Sequence, residues 1–217
     1  MLLFGAAGHA RSTADALERS GNFDVVGLIV SNLPVGTVCF GYDVLGTEAD
    51  VPRLIEQHGI EAGVIAVGEN WSRAQFLEQI QRFAPALPFA TVVHPSAQIA
   101  CDVAIEDGTV IMAGAIVGSG SRIGRFSIIN TNASLDHDGC LGSFASLGPG
   151  ASVGGNVAIG DFSAVCLGAS IIHRVRIGSH AVIGAGAVVI RDVPDRVVAF
   201  GVPAVLVRSR EPNEAYL

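Results

Sequence analysis

The chain has 217 residues, of which 50% are hydrophobic and 6% aromatic, and its net charge is −7. An acidic chain lacks the basic face that general nucleic-acid binding requires. All thirteen basic residues are arginine, which excludes a lysine Schiff base or a P-loop lysine.

Met1-Leu2-Leu3-Phe4 reads as a buried strand running into the glycine turn Gly5-Ala6-Ala7-Gly8. A helix follows from Ala10 to about Ser20, with Ala10, Ala14 and Leu17 on one face. No charged leader or long apolar segment comes next, so a cytoplasmic protein with no membrane span is expected. Asp24 to Val30 reads as the second strand. Thr47-Glu48-Ala49-Asp50 has capping-box chemistry and opens a second helix that ends near Gly59. Ala62 to Val67 is a third strand, followed by Gly68-Glu69-Asn70 and a helix from Trp71 to Arg82; Pro85 and Pro88 lead onward. This alternation predicts an α/β domain over residues 1–90, built on a small Rossmann-like parallel sheet. In such sheets ligands bind at the carboxyl ends of strands, and helix N-termini attract phosphate. Gly5, Gly8 and Gly68 are therefore candidates for approaching a pyrophosphate, although tight βα turns alone account for them equally well. The glycines do not complete GxGxxG and no acidic residue ends the second strand, which argues against a redox dinucleotide domain.

Past residue 90 the pattern changes. Sixteen aliphatic residues recur every six positions from Ile99 to Val189 without an insertion, and eight of them are followed by glycine. The residue two before each is small or β-branched, as in Ala97, Ala115, Ser127, Ala133 and Ala151. This is the hexapeptide signature of a parallel β-helix, each hexad one short strand and a turn. Three hexads make a triangular coil, so the aliphatic residues stack inward at eighteen-residue spacing and about five coils result. The glycine is read as relieving crowding at a turn. Residues 91–217 thus form the second domain, a β-helix with a C-terminal tail.

Cys39, Cys101, Cys140 and Cys166 are scattered and lack CxxC spacing, so neither a metal cluster nor a disulfide framework is expected. Six arginines lie between Arg174 and Arg210, which suits a phosphorylated ligand or plain solvated surface. Among the histidines, His137 stands out in Leu135-Asp136-His137-Asp138-Gly139. It follows an aliphatic core position by two, so its ring faces outward near a corner, where an adjoining carboxylate would orient it as a general base. A solvated surface histidine is the competing reading. His173 shares the same column two coils on, and His180 is out of phase with both.

Taken together, the chain resembles the bacterial sugar acetyltransferases of the NeuD/PglD-like type. The resemblance rests on Phe4-Gly-Ala-Ala-Gly-His-Ala10, Ala66-Val-Gly-Glu-Asn70, His94-Pro-Ser-Ala97, Asn130-Thr131, Asp136-His-Asp138, Gly155-Asn156 and Gly201-Val-Pro-Ala204. It implies a homotrimer of left-handed β-helices, acetyl-CoA lying between neighbouring helices, and no metal. It implies His137 as general base with Asp138 as its acidic partner, and Ser146, Gly155, Leu167 and Ala185 as positions facing acetyl-CoA. Ala7, Gly8, His9 and Gly68 match positions that hold the nucleotide of a nucleotide-linked amino sugar, and His94 is read as structural. The reaction implied is acetyl transfer to the sugar amine, with a backbone N–H near Gly155 holding the oxyanion. O-acetylation of sialic acid or another sugar hydroxyl is the alternative. Two departures stand out: Ser146 replaces a histidine found in some relatives, and Val30-Ser31-Asn32 replaces the paired aspartates of relatives that bind a uridine nucleotide. A zinc-dependent β-helix carbonic anhydrase would need three converging histidines, and an ice-binding module would need a threonine ladder; neither pattern is present.

Overall fold

Leu2, Leu3 and Phe4 are fully buried, as an unbroken apolar run in a parallel sheet covered on both faces requires. The computed structural model describes residues 1–216. Its N-terminal part runs β1 (Leu2–Phe4), α1 (Gly8–Ser20), β2 (Gly27–Ile29), β3 (Val38–Cys39), β4 (Tyr42–Gly46), α2 (Val51–His58), β5 (Gly63–Ile65) and α3 (Asn70–Phe83). The sheet order is β3-β4-β2-β1-β5, with β1 parallel to both β2 and β5. Helix α1 starts at Gly8, ahead of the expected Ala10, and buries Ala10, Ala14 and Leu17 as its spacing predicts. The capping box at Thr47 and Asp50 forms, although a short 3-10 turn (Glu48–Asp50) precedes α2. The second and third strands are shorter than the apolar runs that announced them. The hairpin of β3 and β4 was not anticipated: its first strand has two residues, an exposed Val38 and a half-buried Cys39, too few to carry a readable alternation.

Every repeating aliphatic closes a two-residue strand, from Gln98–Ile99 to Val188–Val189. Strands pair in parallel with those eighteen residues away, for example Val117 with Leu135 and Ile123 with Leu141. They form three faces. The first begins at Val92–Val93 and passes through Ile128–Ile129, Ser146–Leu147 and Ala164–Val165; the second includes Ser134–Leu135, and the third Cys140–Leu141. The interior is one continuous apolar column that includes Ile129, Leu135, Leu141 and Leu147. A hairpin of Val197–Gly201 and Ala204–Ser209 extends the first face.

The glycines behind the aliphatics work by steric approach rather than by torsion. A Cβ on Gly118 would lie 2.6 Å from the His137 amide nitrogen, and one on Gly124 would lie 2.6 Å from that of Ser143. The left-handed conformation falls instead three residues after each aliphatic from Ile105 to Ile183, at Gly120, Asn132, Asp138 and Asn156 among others. Asp and Asn tolerate it because a short polar side chain bonds locally.

Phenylalanine occupies that left-handed position at 126, 144 and 162, a costly backbone for a bulky residue. Stacking compensates. The Phe126 and Phe144 rings are 5.2 Å apart, those of Phe144 and Phe162 5.0 Å, and the Phe162 ring lies 4.8 Å from that of His180. The spacing is close to the interstrand distance of a β-sheet. This ladder lines the corner between the third and first faces, where helix α3 docks. Arg73 of α3 is fully buried there. Its guanidinium donates to the carbonyls of Phe126 (2.7 Å), Phe144 (2.9 Å), Val67 (2.9 Å) and Gly68 (3.0 Å) and to Asn70 Oδ1 (2.8 Å). Burial holds its pKa down at about 10, so it remains charged at neutral pH. The Asn70 amide donates to the Phe162 and Ser163 carbonyls, and Trp71 packs on Phe162. Apolar clusters also cross the junction: Val92, Val110 and Ile128 of the first face pack with Leu3 and Leu28 of the sheet. The N-terminal part therefore covers the lower coils of the first face and leaves the upper ones open.

Candidate active site

A cavity of about 460 Å³ opens where β1, β2 and β5 end. Gly5, Ala7, His9, Ser31, Asn32 and Gly68 line it, which is the position expected for a ligand of an open α/β sheet. Gly5 has φ +125°, and a Cβ there would meet the Ala66 carbonyl oxygen at 2.9 Å, so only glycine lets the turn pass β5 so closely. Helix α1 opens at Gly8 with Ala7 as its N-cap and no capping side chain, so its first backbone N–H groups have no capping partner, and Ala7 and His9 on either side of Gly8 line the cavity. His9 Nε2 is buried without a partner. Burial, then the Arg73 charge, pushes the His9 pKa down to about 4, so its ring is neutral across the physiological range.

A second groove of about 520 Å³ lies over the uncovered upper coils of the first face. Ser146, Gly148, Ala164, Leu167 and Ala185 line it, with Gly68 and Tyr216 at one edge. Gly68 thus borders both cavities and forms their junction. Tyr216 was not singled out from the sequence. Its hydroxyl lies 3.3 Å from Ser146 Oγ and donates to the Gly68 carbonyl at 3.4 Å, and burial raises its pKa. The segment carrying it is tethered by the Arg208–Glu214 ion pair and by Arg210, which donates to the His180 and Glu214 carbonyls.

His137 occupies a different corner, between the second and third faces. Asp136 Oδ1 accepts the His137 amide proton at 2.8 Å, and Asp138 is held in the left-handed conformation with φ 56°. That turn brings Asp138 Oδ2 to 2.8 Å from His137 Nδ1. The hydrogen bond to Asp138, followed by the charge of Asp136, raises the His137 pKa above the ordinary histidine value. With Nδ1–H directed at the carboxylate, Nε2 is the free base. The ring lies over Gly155, where a Cβ would be 2.5 Å from Nε2. The Gly155 amide donates to His173 Nδ1 at 2.8 Å.

Three groups of sequence-derived residues result. Ala7, His9 and Gly68 share the sheet cavity, with Gly8 opening the adjoining helix; Ser146, Leu167 and Ala185 share the groove. His137, Asp138 and Gly155 meet one another and line neither. Gly155 is thus separated from the three residues with which the resemblance grouped it. His94 serves its own turn, Nδ1 accepting the Ser96 amide proton at 3.1 Å. No group of three His, Cys, Asp or Glu residues able to hold a metal occurs among the described residues. Nor is any helix among them long and apolar enough to cross a membrane.

Residues 1–80 match the family model described as the PglD N-terminal domain. No curated protein sequence matches the chain. Among solved structures, a histidine-to-alanine variant of the GDP-perosamine N-acetyltransferase from Caulobacter crescentus, in complex with CoA and GDP-perosamine, is 32% identical with a TM-score of 0.90. The match covers 96% of each chain. The acetyltransferase domain of PglB from Neisseria gonorrhoeae, in complex with acetyl coenzyme A, is 31% identical with a TM-score of 0.87, over 95% of this chain and 98% of that one. WeeI from Acinetobacter baumannii, at 24% identity and a TM-score of 0.85 over 95% and 98%, has the same fold.

Proposed function

The chain belongs to the NeuD/PglD-like family of hexapeptide-repeat sugar acetyltransferases, and from that premise we propose how its residues divide the reaction. It is an enzyme that moves the acetyl group of acetyl-CoA to the amine of a nucleotide-linked amino sugar. The nucleotide lies in the sheet cavity, its pyrophosphate against Ala7, Gly8 and His9 at the start of α1. Acetyl-CoA lies along the groove of Ser146, Leu167 and Ala185. The single observation that supports this arrangement is that Gly68 borders both cavities, so the sugar amine is read as meeting the thioester beside it.

His137 is the general base. The amine nitrogen bonds to the acetyl carbon and its proton passes to His137 Nε2; as the carbon–sulfur bond breaks, the imidazolium returns that proton to the departing sulfur, which releases CoA as the thiol and restores the base. Asp138 stabilises the imidazolium, and such proton transfer contributes roughly 10²–10⁴-fold. Within one copy the His137 corner is separate from the Gly68 junction. A homotrimer resolves the separation: the His137–Asp138–Gly155 corner of one copy closes over the groove of the next. A reaction that draws on acetyl-CoA fits a cytoplasmic enzyme.

The test is CoA release, followed with a thiol reagent, across UDP-, GDP- and dTDP-linked 4-amino and 3-amino sugars and free sialic acid. Release with a nucleotide-linked amino sugar is the expected result. Release with sialic acid alone overturns the assignment in favour of O-acetylation.

A further inference from the structure

A Rossmann-type sheet that binds a nucleotide usually ends its second strand with an acidic residue, which accepts a hydrogen bond from the ribose 2′-hydroxyl. Here β2 is followed by Ser31 and Asn32, both lining the sheet cavity. The missing carboxylate is nevertheless present, supplied by another element. Glu48, the first residue of the 3-10 turn before α2, is only 7% exposed. The Ser31 hydroxyl lies 2.9 Å from one oxygen of its carboxylate and 2.8 Å from the other. No cation pairs with Glu48 among the described residues, and Ser31 is the one side chain found donating to it. An ionised carboxylate only accepts hydrogen bonds, so the Ser31 proton must point at Glu48. The exposed lone pairs of Ser31 Oγ are left facing the cavity, polarised by a charge behind them. The ligand group they suit is a hydroxyl donor; a phosphate at that point would be repelled by Glu48.

We propose that Ser31, oriented by Glu48, accepts a hydrogen bond from the ribose 2′-hydroxyl of the acceptor's nucleotide, so that the enzyme uses ribonucleotide-linked and not deoxyribonucleotide-linked amino sugars. The proposal rests on the nucleotide-sugar reading and names the class of nucleotide. Ser31 is the specificity-determining residue. Glu48 is a positioning residue that acts through it. Both are held by anchored elements: Ser31 closely follows β2, which pairs with β1, and the Glu48 turn is fixed by the Thr47–Asp50 capping box.

Calorimetry with GDP and 2′-deoxy-GDP on the full chain tests it. The wild type should bind GDP roughly tenfold or more tightly than the deoxy form, the effect of one hydrogen bond to a charge-oriented acceptor. Ser31→Ala should weaken GDP alone and bring the ratio near one. In Glu48→Gln the new amide can donate to Ser31 and turn its hydroxyl towards the cavity, so the ratio should again fall while acetyl-CoA affinity is unchanged. A damaged fold would weaken both nucleotides together and spare the ratio, which separates positioning from simple support. Equal binding of the two nucleotides by the wild type, or a ratio untouched by Ser31→Ala, overturns the ribose contact and leaves the acetyltransferase reading standing. Failure of GDP, UDP and dTDP alike to bind would remove the nucleotide-sugar reading and this proposal with it.

Discussion

Gly155→Ala places a methyl group 2.5 Å from His137 Nε2, 2.7 Å from Cε1 and 3.0 Å from Cδ2. Real Cβ contacts are not that short, so the imidazole must leave its place. It has room to do so, since the His137 side chain is 52% exposed. The backbone does not object, because Gly155 is absent from the positive-φ glycines. The folding cost is therefore small, and the loss of unfolded-chain freedom contributes about 0.4–1 kcal/mol in the other direction. Catalysis bears the whole effect. A base displaced by about 1 Å loses on the order of 10²-fold in rate, and one turned away from the substrate loses the full 10²–10⁴-fold of general-base catalysis. The assay pairs CoA release at saturating substrates with a thermal melt. The expected result is kcat down at least about 100-fold with Tm within roughly 4 °C of wild type. Turnover within threefold of wild type would refute the role of Nε2. A melt lowered by about 10 °C would refute the claim that the ring moves freely.

Three further expectations concern pH and packing. Because Asp138 raises the His137 pKa, activity should fall on the acid side at a pH above the ordinary histidine value of 6.5, as the base becomes protonated. Asp138→Asn should move that limb to lower pH while lowering kcat, which a pH–rate profile reads directly. Arg73→Met leaves the buried carbonyls of Phe126 and Phe144 without their donor and should cost about 3 kcal/mol, a fall in Tm of roughly 6–12 °C. Folded His9 titrates near 4, whereas an unfolded histidine titrates near 6.5. Between those values the unfolded chain binds the proton that folded His9 refuses, so stability should decline as pH drops from 6.5 towards 4. Denaturant titration of His9→Asn should show part of that decline removed.

The β-helix was legible because its six-residue phase is a packing requirement repeated sixteen times, from Ile99 to Val189. The sheet was legible for a similar reason, with buried apolar runs separated by glycine turns. The junction between them was not. Phe126, Phe144, Phe162 and His180 do recur at eighteen-residue intervals, but they stand at the corner position rather than the aliphatic one. A reading tuned to the inward column passes over them. Arg73 looked like one more polar residue on a helix, since its five acceptors are backbone or amide oxygens that no residue identity announces. His137 and Asp138 were adjacent in sequence, and the structure adds the left-handed turn that brings them into contact. Glu48 was legible only as part of a cap, because its pairing with Ser31 spans 17 residues and two elements. Tyr216 reaches Gly68 across 148 residues, a contact that no local pattern encodes.

The division of the site between copies is tested most directly by complementation. Ala7→Asp adds a favourable N-cap to α1 but sets a carboxylate where the pyrophosphate should lie, so it should fold well and bind no nucleotide sugar. His137→Asn keeps the sheet cavity and lacks the base. Each variant alone should be inactive. Co-expressed in equal amounts with different tags and purified as mixed trimers, they should recover about a third of wild-type activity, since one of the three interfaces in each mixed trimer pairs an intact base with an intact cavity. Mixed trimers as inactive as either parent would contradict the account, because base and cavity would then have to come from the same copy.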